Sequence, residues 1–96
     1  MIIVLAKIIP KENFEDKIIN AAQNLIKNSR VEEGNIDYNL YKSTEDNTLT
    51  FIEKWESKSI LDKHLATNHF ITFGDEIKNY LASELDIQIL SAETLN

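Results

Sequence analysis

Ile2-Ile3-Val4-Leu5-Ala6-Lys7-Ile8-Ile9 opens the chain as a β-branched, almost continuously apolar run. A strand of that composition is covered on both faces, so it belongs in the middle of a sheet. Pro10 ends it by withdrawing a backbone donor. The run supplies two apolar rows: Ile2, Val4, Ala6 and Ile8 on one face, and Ile3, Leu5 and Ile9 on the other.

The following segments say what lies around this strand. Phe14, Ile18, Ala21, Ala22 and Leu25 recur at the spacing of one helical face, with Asn13 as the expected N-cap and Asp16 three residues on. Glu12, Glu15 and Asp16 crowd the positive end of that helix dipole, and Lys27 and Arg30 the negative end. From Asn35 to Lys42 the pattern alternates, Ile36, Tyr38 and Leu40 against Asp37, Asn39 and Tyr41, which marks a half-covered edge strand. The polar loop Ser43 to Asn47 turns it into a return strand, Thr48 to Trp55, with Leu49, Phe51 and Trp55 on one side. Ser57 caps a short helix carrying Ile60, Leu61, His64 and Leu65, and Thr67 or Asn68 breaks it. A further helix spaces Phe70, Phe73, Ile77, Tyr80 and Leu81 along one stripe, and a last strand turns Leu85, Ile87 and Ile89 inward.

The order β-α-β-β-α-α-β, with the first and third strands inserted centrally, predicts an α+β ferredoxin-like plait. It has a four-stranded antiparallel sheet with helices on one face. With 96 residues, residues 1–96 read as a single domain. Helices cover one side only, so the second row of the first strand is left apolar and wet, which favours association. A two-fold homodimer with sheets face to face is the expected cover. Curved sheets would leave a hollow beside the helices, the natural place for a small ligand.

Sixteen acids against ten bases give a net charge of -6, a surface that repels phosphate backbones and argues against a nucleic-acid role. The chain has no Cys, so disulfides, thiolate nucleophiles and sulfur-ligated metals are excluded together. No run reaches membrane-spanning length and the start lacks the layout of a signal peptide, so a soluble cytoplasmic protein without a membrane partner is expected.

No phosphate loop, zinc-binding His-Glu-x-x-His or G-x-S-x-G elbow is present. The informative residues lie between Glu53 and Phe70. His64 shares a face with Ile60 and Leu61, where a histidine is more often packed than catalytic, although it is also the natural acid or base near neutral pH. His69 reads as a capping or water-facing residue, and a His64/His69 metal site lacks a third ligand. Trp55 reads as core or as a stacking wall for a flat substrate. Glu53, between Phe51 and Trp55 in an inward register, needs a partner or a raised pKa. Tyr38 and Tyr41 lie on opposite faces, so at most one meets the cavity. The acidic pairs Glu32-Glu33 and Asp75-Glu76 read as solvated surface.

The segments SRVEEGNIDYNLY (29–41), FIEKWES (51–57) and LDKHLATNHF (61–70) resemble the antibiotic biosynthesis monooxygenase superfamily, and within it small bacterial quinol monooxygenase-like proteins. The matching positions are Glu33, Gly34, Tyr38, Glu53, Trp55, His64, His69 and Phe70, and the likeness runs from Ile2 to about Leu90. The resemblance implies a dimeric α+β barrel that oxidises a small aromatic, quinol- or phenol-like, with molecular oxygen and no cofactor: neither metal, flavin nor haem. It assigns catalysis to His64, which accepts a phenolic proton, to Trp55, which packs on the substrate, and to Glu53. Tyr38, Phe51, His69 and Phe73 form the implied substrate-binding set. The haem-degrading branch of the superfamily carries an Asn on the first strand and a Trp at the position held here by His64, so haem degradation is disfavoured. Two alternatives stand beside oxidation. One is a non-catalytic dimeric ligand-binding or stress-response module; the other is an isomerase of a small phosphorylated metabolite, for which Arg30 and Lys7 are the available cations.

Overall fold

The computed structural model describes residues 1–96. Its elements are β1 (Ile2–Ile8), α1 (Glu15–Arg30), β2 (Asn35–Lys42), β3 (Leu49–Trp55), α2 (Lys58–Leu65), α3 (Asn68–Ile77) and β4 (Asp86–Ser91). The sheet order is β2-β3-β1-β4 and every pairing is antiparallel. β1 is therefore central and β2 is an edge, as the apolar run and the alternating segment require.

Register assigns the faces, because residues directly opposite each other share one. Val4 pairs with Glu53 and Ile89, and Ala6 with Phe51 and Ile87, on the helix-covered side. Ile3 pairs with Lys54 and Leu90, and Leu5 with Ile52 and Gln88, on the side away from the helices. The core lies between α1, α2, α3 and the first of these faces, around Ile8, Ile18, Ala22, Leu25, Leu49, Phe51, Trp55, Leu61 and Ile77. β3 buries every second residue, Leu49, Phe51, Glu53 and Trp55.

Both short helices are capped, the first by Ser57 as expected and the second by Thr67, which the sequence offered with Asn68 only as a break. The Ser57 side chain accepts from the Ile60 amide, and the Thr67 side chain accepts from the Phe70 amide. Thr67 also donates to the His64 carbonyl at 2.7 Å, so one residue closes α2 and opens α3.

Four local expectations are corrected. Asn13 is not the cap: it adopts φ +72°, a conformation Asn tolerates, and α1 begins after Phe14 with no side-chain cap. That turn brings Phe14 against Tyr80 with ring centroids 4.9 Å apart. Ile36 does not share the inward row with Tyr38, because a bulge between Asn35 and Asp37 leaves it outside the pairing and 53% exposed. α3 stops at Ile77, so Tyr80 and Leu81 lie beyond its stripe, and Leu81 instead bridges Pro10. Finally, Ile87 and Ile89 occupy the helix-side register, but no helix covers β4 and they remain 50% and 47% exposed.

Candidate functional site

Where α2 and α3 bridge β3, β1 and β4, the packing leaves two adjoining apolar hollows. One, of about 250 Å³, is lined by Val4, Ala6, Glu53, Leu61, Leu65, Phe70, Ile87 and Ile89. The other, of about 70 Å³, runs past Tyr38, Phe51, Phe73, Gly74, Ile77 and Leu85. Ala6, Glu53, Phe70 and Ile87 line both. Glu53 is the only carboxyl on either wall. Bare β4 leaves the hollow open: Ile87 and Ile89 are exposed where they border it.

Glu53 is 5% exposed and occupies a position that strand alternation assigns to an apolar side chain. Burial pushes its pKa up to about 7, against the restraint of hydrogen bonds from Trp55 and Tyr38 that favour the charged form. Trp55 Nε1–H donates to Glu53 Oε1 at 3.0 Å. The fully buried indole thus spends its one polar atom on orienting that carboxyl. The Tyr38 phenol is itself held well above its ordinary range by burial and by the Glu53 charge beside it, so it stays protonated as a donor.

His64 sits behind this wall in an aromatic cage. Its ring centroid is 4.5 Å from Trp55, 5.2 Å from Phe70, 5.4 Å from Tyr38 and 5.9 Å from His69. Its side chain is wholly buried, and burial lowers its pKa despite the Glu32 carboxyl at its flank, so the ring is neutral near pH 7. His64 Nδ1 lies 2.7 Å from Glu32 Oε2. A carboxylate only accepts, so Nδ1 carries the proton and Nε2 faces the Tyr38 hydroxyl at 3.5 Å. His69 Nε2 meets the same Glu32 oxygen at 2.8 Å.

Of the residues singled out from sequence, Glu53, Tyr38, Phe51 and Phe73 meet at the hollow. His64, Trp55 and His69 do not line it. The aromatic cage accounts for His64, Glu53 is the group Trp55 contacts, and His69 is neither a cap nor water-facing but bound to Glu32. Glu32 corrects the reading of an acidic surface pair: it sits 17% exposed between two histidines. It is also the third ligating group that the His64/His69 pair lacks in sequence. Nothing in local spacing signals this, since its partners lie 32 and 37 residues away. Phe70, which lines both hollows, was legible in sequence as part of an apolar helical stripe and as a position matching the family, but not as a wall residue.

The cations suggested for phosphate lie elsewhere. Arg30 donates to the Tyr38 carbonyl and to Asn39 Oδ1 at the β2 edge, in an open depression of about 270 Å³ where Lys42 also sits. Lys42 pairs there with Glu15 at 2.6 Å. Lys7 lies on the helix-free sheet face beside Leu5 and Asp86.

The class is that of an α+β ferredoxin-like plait whose helix-covered face holds an aromatic-walled hollow with one buried carboxyl. Residues 1–76 match the family model for antibiotic biosynthesis monooxygenases, and the chain belongs to that family. It is 35% identical over 88 residues to the Bacillus subtilis (strain 168) protein described as "Putative monooxygenase YcnE", covering 91% of this chain and 93% of that one. The crystal structure of a conserved protein from Methanosarcina mazei Go1 superposes with a TM-score of 0.92 at 31% identity, over 96% of this chain and 92% of that one. The structure of Rv0793 from Mycobacterium tuberculosis shares the fold at 21% identity and TM-score 0.92, over 98% and 96% of the two chains. Family and relatives support a monooxygenase-like function. No helix is long and apolar enough to cross a membrane.

Proposed function

We propose that the protein is a cofactor-free monooxygenase that oxidises a small quinol- or phenol-like aromatic with molecular oxygen, with Glu53 as the proton acceptor. The carrying observation is one buried carboxyl, its pKa raised to about 7, on the wall of an otherwise apolar hollow of about 250 Å³. Such a carboxyl is half ionised near neutral pH and strong enough as a base to take a phenolic proton. The resulting anion is electron-rich and reduces oxygen directly. One oxygen atom enters the ring; the other leaves as water with the phenolic proton and the displaced ring hydrogen. The protein's task is to bind, deprotonate and keep water out. Phe51, Phe70 and Phe73 supply flat apolar walls, and the size suits a small ring system. Trp55 and Tyr38 orient the carboxyl, and His64, buttressed by Glu32, holds both in place.

The same reading includes a homodimer. Ile3, Leu5, Ile52 and Leu90 form an apolar stripe across the helix-free face, flanked by Lys7, Asp86 and Lys54, and a second copy is its natural cover. Oxygen uptake with a panel of quinols and anthrones tests the activity. Turnover above the uncatalysed rate, falling on the order of 10²–10⁴-fold in Glu53→Gln, is expected. No turnover with any of them, or a Glu53→Gln variant equal to wild type, overturns the proposal.

A further inference from the structure

The geometry points to a second site, behind the wall of the hollow proposed above for oxidation: Glu32, His64 and His69 bind a divalent transition-metal ion of the zinc type. The three groups converge from separate places, Glu32 from the turn after α1, His64 from the last turn of α2 and His69 from the first turn of α3. One ligating atom from each lies within 4.8 Å of the others. A single oxygen, Glu32 Oε2, takes both imidazoles, at 2.7 and 2.8 Å. Two imidazole nitrogens and one carboxylate oxygen form a recurring three-protein-ligand set for zinc, with the fourth position left to water.

The change needed on loading is small. Ligands ~2.1 Å from a tetrahedral ion stand ~3.4 Å apart, so the shared oxygen retreats by ~0.6 Å from each nitrogen while the two nitrogens draw together. Glu32 is free to do this from its turn, and it and His69 keep 17% and 18% side-chain exposure, which supplies the entry path. Binding through Nδ1 moves the His64 ring proton to Nε2, where the Tyr38 hydroxyl oxygen stands 3.5 Å away to accept it. A metal-bound histidine is characteristically steadied by such an outer partner. None of the three ligands lines the hollow, so the ion would sit behind its wall and touch the substrate at no point. It would pin the α2–α3 break to the α1–β2 turn and stiffen the backbone next to Phe70, a wall residue of both hollows.

The test reads binding rather than turnover, so its failure is separate from failure of the oxidation reading. These are the only two histidines and there is no Cys, so competing sites are few. Chelator-stripped full-length chain is titrated with Zn²⁺ by calorimetry and with Co²⁺ by visible absorption. One equivalent bound with Kd on the order of 10 µM or tighter, intense tetrahedral Co²⁺ bands and a Zn²⁺-dependent rise in Tm are expected. Glu32→Gln and His69→Ala alter partly exposed positions, avoiding the buried His64, and each is expected to weaken binding at least ~10-fold and abolish the Tm rise. No stoichiometric binding at ~100 µM Zn²⁺, or variants that bind like wild type, overturns the assignment.

Discussion

Replacing Glu53 by Gln separates the cost of a buried carboxyl from everything else that titrates. Gln keeps the shape and an oxygen to accept from the Trp55 indole, but carries no proton equilibrium. In the native protein the carboxyl moves from its ordinary 4.5 to about 7, chiefly through burial. The folded state therefore holds a proton over that interval which the unfolded chain has released, so its stabilising effect is complete below pH 4.5 and lost as pH rises through 7. The interval corresponds to about 3 kcal/mol. In a domain of this size that is roughly 12–24 °C in Tm. Urea or thermal unfolding of both proteins from pH 4.5 to 8, at one fixed protomer concentration, isolates the contribution, because other titrating groups cancel in the difference. Wild type is expected to lose about 3 kcal/mol more than Glu53→Gln across the window. Parallel stability curves would refute the placement of Glu53 as a desolvated, titrating wall residue, and with it the base proposed for catalysis.

Trp55→Phe removes the indole donor that restrains Glu53, so the Glu53 pKa should rise further above 7, read by carboxyl carbon NMR titration. Gly34 has φ +84°, and a Cβ there would stand 2.6 Å from Ile60 Cγ2, so Gly34→Ala should cost about 1–3 kcal/mol by urea unfolding. Gly74 is helical with nothing within 4 Å of an added Cβ, so Gly74→Ala should instead stabilise by about 0.5–1 kcal/mol in the same assay. Leu5→Lys places a charge in the middle of the apolar stripe on the helix-free face. It should shift sedimentation from dimer to monomer at micromolar concentration while leaving far-ultraviolet circular dichroism unchanged.

What could be read in advance followed from periodicity. The two apolar rows of Ile2 to Ile9 demanded a central strand, and the alternation through Leu49, Phe51, Glu53 and Trp55 exposed Glu53 as the one carboxyl in an inward row. Ser57 announced itself as a cap because a hydroxyl before a helix satisfies a local donor, whereas Thr67 was legible only, with Asn68, as a break between helices. The features that escaped reading depend on backbone choices or distant pairings. Asn13 fits both a cap and a left-handed turn by composition, and tertiary contact between Phe14 and Tyr80 accompanies the second. Ile36 follows the strand alternation, and a single bulge removed it from its row. Glu32 beside Glu33 looks like any acidic turn, since a pairing across more than thirty residues leaves no local periodic trace. The position of His64 behind the wall rather than on it depends on how α2 rests against the sheet, which spacing along the helix does not resolve.

The indole bonded to Glu53 is the only tryptophan in the chain. Excited at the red edge where the three tyrosines do not absorb, it is a resident optical gauge of the immediate neighbourhood of that carboxyl, with no label to attach. Proton loss from Glu53, or a guest molecule lodging against it, is written directly into the colour and lifetime of the protein's own fluorescence.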